Sequence, residues 1–180
     1  MPCEAAHNSF LSMILPYIDD GRLVVRSGEF FKAMCHVDDG SSDKALKRME
    51  KLIKDQNYGP LAQKLDAVYC ATDTIADGVV TALKKVGYSL TTMPFITGRD
   101  ATLTRLKGIM KGEWGSIIFR DPAKLNGAAA QIVDSVLSGQ LPNFNDLTSY
   151  NNGVFPMKSV VCDLVWDDEN NIRKLFADLK

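Results

Sequence analysis

Three short apolar runs in the middle of the chain each end at a polar or charged residue where a helical pattern begins. The runs cover residues 67–71, 93–97 and 116–119. Because almost every residue of the first run is apolar, the pattern is typical of a strand covered by helices on both faces of a parallel sheet. The strand-helix unit recurs about every 25 residues, as βαβ crossovers require. The sequence therefore predicts an α/β fold, a three-layer α/β/α sandwich with a mainly parallel sheet.

Helical spacing of apolar residues marks the segments around these runs. The predicted helices cover residues 8–18, 42–53, 73–86, 103–110, 122–139 and 172–179. A further strand is predicted at residues 23–25, and the polar segment 143–152 predicts a loop. An extended return over residues 154–161 is expected after this loop.

Charged residues stand at the carboxyl ends of the three central strands. Asp73 follows the first strand, Asp100 the second and Arg120 the third. Strands joined through crossover helices point the same way, and open α/β sheets bind ligands outside their carboxyl ends, so we predict that these side chains contact a ligand. Gly98 frees the backbone to present Asp100 outward. Carboxylates beside a planar cation suit a polyhydroxylated ligand, because they hold vicinal hydroxyls by charge-assisted hydrogen bonds.

Other roles are open to the same residues. Asp73 is placed to cap the helix that follows it, and Arg120 could pair with Asp121 or Asp100. The two carboxylates could also form the acid-base pair of a glycosidase, but the sequence does not show their separation. Trp114 precedes its strand, so we expect it to pack rather than to stack on a ligand.

The composition narrows the classes of function. A chain of 180 residues is long enough for one domain with a sizeable core, and its net charge of −1 gives no electrostatic reason to expect nucleic acid as a partner. Four cysteines and two histidines show no CxxC pair or metal-ligand spacing, and GxGxxG, phosphate-loop and GxSxG motifs are lacking. We expect a small neutral ligand, bound without catalysis, cofactor or metal, and we expect the cysteines, above all Cys70, to be buried apolar residues.

Four stretches, in order along the chain, resemble the second lobe of type-I periplasmic sugar-binding proteins, the ABC-transporter solute receptors for xylose, galactose and multiple sugars. They read DAVYCATD at 66–73, ALKKVGY at 82–88, ITGRDA at 96–101 and IFRD at 118–121. The resemblance implies that Thr72, Asp73, Asp100 and Arg120 contact the sugar. Thr72 stands where many members have asparagine and Arg120 where xylose receptors have lysine, so the preferred sugar does not carry over.

The resemblance also implies partners and a compartment. A complete receptor binds a monosaccharide, docks on an ABC permease, and is periplasmic or lipid-anchored outside the cell; this chain itself shows no signal-peptide pattern. Residues 1–180 are expected to form a single domain like the C-terminal receptor lobe, with 143–180 as a return segment and terminal helix. The N-terminal lobe and the first strand of the second lobe are expected to be absent.

That absence has two expected consequences. One lobe supplies only part of the sugar contacts, so this chain alone is expected to bind sugar weakly or not at all. Unpaired sheet edges invite strand addition, so either residues 154–161 or a second copy, in a homodimer, is expected to fill the gap. Two alternative functions remain open: the effector-binding domain of a lac-repressor-type regulator, and a small flavodoxin-like enzyme.

Overall fold

Strands β1 (Ala67–Val68) and β2 (Phe95–Ile96) pair in parallel, with Ala67 opposite Phe95 and Val68 opposite Ile96. They belong to a computed structural model that describes residues 2–100, 102–167 and 172. Helix α4 (Asp73–Lys85) connects the two strands. The predicted parallel strand-helix-strand unit is therefore confirmed, although both strands are shorter than the apolar runs.

Four other helices match predicted ones, three of them with shifted ends. They are α1 (Pro2–Asp19), α3 (Ser42–Gln56), α5 (Leu103–Met110) and α6 (Pro122–Leu137). Between α1 and α3 a short helix, α2 (Lys32–Cys35), lies in a segment whose pattern is irregular or partly helical. Strands β3 (Ile117–Arg120) and β4 (Leu164–Asp167) pair with each other in a second small sheet. Within the described ranges, we find no helix with the length and apolar character needed to cross a membrane.

The chain divides into two compact units. One comprises Met1–Ile117 and Asp167–Lys180, and the other comprises Ile118–Trp166. The first unit contains β1, β2 and five of the helices, whereas α6 lies in the second. The assignment of residues 1–180 to a single lobe-like domain, with 143–180 as its return segment, stays a prediction.

Helix α3 packs along α4 in the first unit. The buried residues of α3 recur at helical spacing and are Ala45, Met49 and Ile53. Gly78 of α4 permits the close approach, because a Cβ there would lie 2.2 Å from the Ser42 carbonyl oxygen. The same core contains Ala76, Val79, Val80, Ala82, Leu83, Ile96, Leu106, Ile109, Ile117 and Ile172. This packing fixes α4, and with it the carboxyl end of β1.

The second unit is more exposed. Helix α6 has no buried residue among those described, and Leu137 is 82% exposed. The predicted polar loop is confirmed and is held by antiparallel bridges between Asp146 and Ser159 and between Asn151 and Pro156. The unit therefore presents apolar helix surface to solvent.

One predicted strand is wrong, and the predicted extended return forms isolated bridges rather than a strand. Residues 23–25 are irregular, and Val24 is 71% exposed, because a strand forms only where a partner takes up its backbone hydrogen bonds. Residues 154–161 make only the bridges within their own loop in the described part of the chain, and the strand comes later, as β4. Of the predicted helix 172–179, only Ile172 lies within the described residues, and it is buried.

Candidate functional site

The tips of β1 and β2 are joined by the side chain of Thr97. The Cys70 amide donates to Thr97 Oγ1 at 2.9 Å, and the hydroxyl donates to the Cys70 carbonyl at 3.2 Å. The Thr97 amide also donates to the Val68 carbonyl at 3.1 Å. These bonds extend the parallel pairing beyond the strands, so the two segments that follow start from a fixed separation.

Thr72, not Asp73, caps helix α4. Thr72 has extended backbone angles, and its hydroxyl accepts from the Ile75 amide at 3.3 Å. Asp73 is the first helical residue, and its amide donates to the Arg99 carbonyl at 3.0 Å. The start of α4 is thereby tied to the segment that carries Asp100.

The Asp73 carboxylate is buried and faces into the protein. Its side chain is 1% exposed. Oδ2 accepts from the Thr102 amide at 3.1 Å and from the Thr102 hydroxyl at 3.4 Å, and Thr102 in turn caps α5 through the Arg105 amide. Asp73 therefore binds Arg99 through its amide and Thr102 through its carboxylate, on either side of Asp100 in the sequence.

Arg105 completes this buried arrangement. Its Nε lies 3.7 Å from Asp73 Oδ1, its Nη2 donates to the Thr97 carbonyl at 2.7 Å, and its guanidinium carbon lies 3.2 Å from the centroid of the Trp114 ring. Trp114 is buried, so its predicted packing role is confirmed. A desolvated cation on an indole face gains about 2 kcal/mol, which helps to offset burial of the arginine.

Burial changes the proton affinities of these groups. It raises the pKa of Asp73, against the opposing effects of the Thr102 amide and Arg105. It lowers the pKa of Arg105 to about 10, so the guanidinium stays charged at neutral pH. Burial also raises the pKa of the Cys70 thiol to about 12. Cys70 is 3% exposed, so its predicted burial is confirmed, whereas Cys35 and Cys162 are only partly buried and the prediction is wrong for them.

Gly98 is required for a reason that the sequence does not show. A Cβ at this position would lie 2.4 Å from Asp73 Oδ1 and 2.5 Å from Arg105 Nη2. The residue with unusual backbone angles is instead Asp100, whose φ is 109°. Gly98 therefore makes room for the buried ion pair, and the strain lies two residues later.

Of the two carboxylates, Asp73 and Asp100, only that of Asp100 is accessible to solvent. Its side chain is 51% exposed, and Oδ1 lies 3.6 Å from Nε of the partly exposed Arg99. A positive φ is rare for aspartate and costs of order 1–3 kcal/mol, so the surrounding bonds must hold it. The site presents a solvent-facing carboxylate beside a guanidinium, an arrangement that binds hydroxyl groups.

The structure brings Thr72, Asp73 and Asp100 together at one edge of the β1–β2 sheet. The backbone of Arg120 ends β3, in the second unit, and its side chain lies outside the described residues. Among the described residues, no group of three or more His, Cys, Asp or Glu side chains is placed to hold a metal.

Sequence reasoning missed Arg105 and Thr102. Thr102, three residues before Arg105, was a readable capping signal. Nothing local indicated that Arg105 would be buried, because arginine belongs mostly to surfaces.

A family model described as a periplasmic binding protein domain matches residues 25–141. The chain belongs to this family. This periplasmic binding protein chain is 32% identical over 96% of its length to the multiple sugar-binding periplasmic receptor ChvE of Rhizobium radiobacter. It is 33% identical over 96% of its length to the multiple sugar-binding periplasmic protein SbpA of Azospirillum brasilense.

A solved structure extends the similarity to the fold. The ABC transporter solute binding protein of Clostridium phytofermentans, with bound β-D-glucose, is 31% identical, with a TM-score of 0.82 over 96% of this chain and 52% of that chain. The predicted periplasmic-binding-protein-like fold is therefore confirmed. This periplasmic binding protein chain spans about half the length of the curated relatives it matches, 48% of both ChvE and SbpA.

Proposed function

We propose that this chain binds a monosaccharide at the carboxyl ends of β1 and β2, as part of an ABC-transporter solute receptor. The observation that carries the proposal is Asp100, a half-exposed carboxylate beside Arg99 that is held at a φ of 109°. The similarity to a protein with bound β-D-glucose supports a sugar as the ligand.

The chemistry of the site suits sugar hydroxyls. The Asp100 carboxylate can accept two hydroxyl hydrogens, and the Arg99 guanidinium can donate to a hydroxyl oxygen. Hydrogen bonds to charged groups are stronger than neutral ones, and a fixed backbone loses little freedom on binding. This arrangement favours capture of a polyhydroxylated molecule without turnover.

The other candidate residues have different roles in binding the sugar. The Thr72 hydroxyl accepts from the Ile75 amide and keeps its own hydrogen to donate to the ligand. Asp73, at 1% exposure, acts on the sugar through the segment that carries Asp100. Arg120 stays a predicted sugar contact.

The partners follow from the relatives, which are named as periplasmic sugar receptors. We propose a periplasmic or lipid-anchored location, an ABC permease as the docking partner, and weak sugar binding by this chain alone. We also propose a homodimer through unpaired sheet edges, since two-stranded sheets leave edges open. Light scattering over a concentration series tests the dimer, and a constant monomeric mass contradicts it.

The sugar site is tested by titrating the ¹⁵N-labelled chain with D-glucose and following amide chemical shifts. We expect shifts at residues 72–73 and 97–102 that saturate. Replacing Asp100 by Asn removes the charge but keeps the size, and we expect it to weaken binding by about tenfold or more.

Asp66 offers a matched control, because it is an exposed carboxylate paired with Lys64 at the amino end of β1. Asp66→Asn should bind glucose as the unaltered chain does. Absence of saturable shifts with glucose and with two other polyhydroxylated ligands that structural neighbours hold, D-allose and the cyclic polyol myo-inositol, would overturn the proposed function. Equal binding by Asp100→Asn would overturn the assignment of the site.

A further inference from the structure

Arg105 touches three elements that surround the Asp100 segment. Its guanidinium reaches the Asp73 carboxylate at the start of α4, the Thr97 carbonyl at the tip of β2, and the Trp114 ring. Its side chain is fully buried. No solvent-exposed role is therefore open to this arginine.

Its burial is not explained by stability alone. Asp73 Oδ1 and Arg105 Nε and Nη1 are buried without a hydrogen-bond partner among the described residues. Taking an ion pair out of water costs more than imperfect geometry returns, so a buried pair is weak evidence for stabilisation. A pair with this geometry points instead to a role in fixing one backbone conformation.

We propose that Arg105 is a positioning residue for Asp100. It acts through Asp73 and the Thr97 carbonyl to hold Thr97, Arg99 and Thr102 where they present the Asp100 carboxylate to the sugar. The choice of a sugar as the ligand rests on the proposed function. The effect of Arg105 on the backbone around Asp100 does not depend on it.

Few contacts separate Arg105 from Asp100. Arg105 holds the Thr97 carbonyl before the segment and the Asp73 carboxylate beside it, and Asp73 binds Arg99 and Thr102. Three positions held in this way, Thr97, Arg99 and Thr102, bracket Asp100, whose φ of 109° is disfavoured for a residue with a side chain. Loss of Arg105 frees one end directly and weakens the other through Asp73.

The test compares Arg105→Met, which keeps an unbranched apolar side chain but removes the guanidinium group, with Arg105→Lys, which keeps the charge. Amide hydrogen exchange is measured at Asp73 and Thr102, whose amides make the two bonds, and at Leu83 in the core of α4. In Arg105→Met we expect exchange at Asp73 and Thr102 to accelerate about tenfold or more, with Leu83 unchanged. Arg105→Lys should restore part of the protection.

A second variant covers the case in which Arg105→Met leaves the Asp73 charge unpaired and the chain unfolds. The double variant Asp73→Asn with Arg105→Met is neutral at both positions and should fold with the segment mobile. Arg48→Met serves as control, since Arg48 pairs with Glu29 on another part of the first unit. It should leave exchange at Asp73 and Thr102 as it was.

Two results would overturn the proposal. The first is unchanged protection at Asp73 and Thr102 in both Arg105 variants and the double variant. The second is acceleration at Leu83 equal to that at Thr102, which would mark Arg105 as a general stabiliser. A local effect on exchange in a chain that binds no sugar would leave Arg105 as a positioning residue and reject the proposed function, so the two failures are distinguishable.

Discussion

Asp73 Oδ1 and Arg105 Nε lie 3.7 Å apart in the interior, each on a side chain that is at most 1% exposed. Asp73 begins α4 and Arg105 lies within α5, so this pair joins two helices that follow different strands. Asp100 lies between them in sequence, on the surface. The two carboxylates therefore differ in role: Asp73 binds neighbouring residues in the interior, and Asp100 faces the solvent.

The pH dependence of stability should report on Asp73. Burial raises its pKa in the folded state above the ordinary 3.8, so the folded chain binds more protons than the unfolded chain between 3.8 and the raised value. This contribution to stability is present below 3.8 and is lost as pH rises through the folded pKa. Urea unfolding across that range should show the unaltered chain gaining stability relative to Asp73→Asn as pH falls.

At neutral pH, Asp73→Asn should be at least as stable as the unaltered chain, because burial disfavours the charged carboxylate that the amide replaces. Asp66→Asn, at an exposed position, provides the reference for loss of a carboxylate. A difference between the unaltered chain and Asp73→Asn that stays constant with pH would show that Asp73 has an ordinary pKa.

Gly98 and Gly127 should respond oppositely to alanine. A Cβ at Gly98 would collide with both members of the buried ion pair, whereas Gly127, inside α6, has open space around it. Gly98→Ala should destabilise by about 2 kcal/mol or more, as overpacking does. Gly127→Ala should leave stability unchanged or raise it by about 1 kcal/mol, because alanine favours helix.

Thermal and urea unfolding followed by circular dichroism measure both changes. If Gly98→Ala unfolds like the unaltered chain, the segment 97–102 must be able to move away from Arg105. That result would also weaken the case for Arg105 as a positioning residue.

Much of the fold could be predicted because it depends on local periodicity. Local spacing of apolar residues is enough to recognise the amphipathic repeat of α3 and the apolar runs before Asp73 and Asp100. Residues 23–25 show the limit, because three apolar residues make a strand only where a partner is present. The local sequence does not show whether a partner strand lies beside residues 23–25.

The co-location of three candidate residues could be predicted, but not their contacts. The strand tips follow from the βαβ connection, which placed Thr72, Asp73 and Asp100 together. Either Thr72 or Asp73 could have capped α4, and only the backbone angles decide between them. The burial of Arg105 depends on Trp114, nine positions later in a different turn, and no rule of local spacing links them.

Cysteine labelling should separate Cys70 from the other free thiols. Cys70 is buried with a pKa of about 12, whereas Cys162 is partly exposed. Alkylation requires the thiolate and access to it, so iodoacetamide at mildly alkaline pH should modify Cys162 first and Cys70 only after unfolding. Mass spectrometry of digested chain gives both rates, and labelling of native Cys70 at the rate of Cys162 would contradict the buried position of the β1 tip.

The strained backbone at Asp100 gives the last prediction. Glycine adopts a φ of 109° readily, whereas alanine meets the same steric penalty as aspartate. Asp100→Gly should therefore be more stable than Asp100→Ala by about 1 kcal/mol, and both should lose glucose binding because neither has a carboxylate. Urea unfolding and the glucose titration measure the two effects separately. Equal stability of the two variants would mean that residue 100 relaxes to an ordinary φ once its side chain is removed, and that the strain belongs to the carboxylate's own contacts rather than to the bonds made by Asp73 and Arg105.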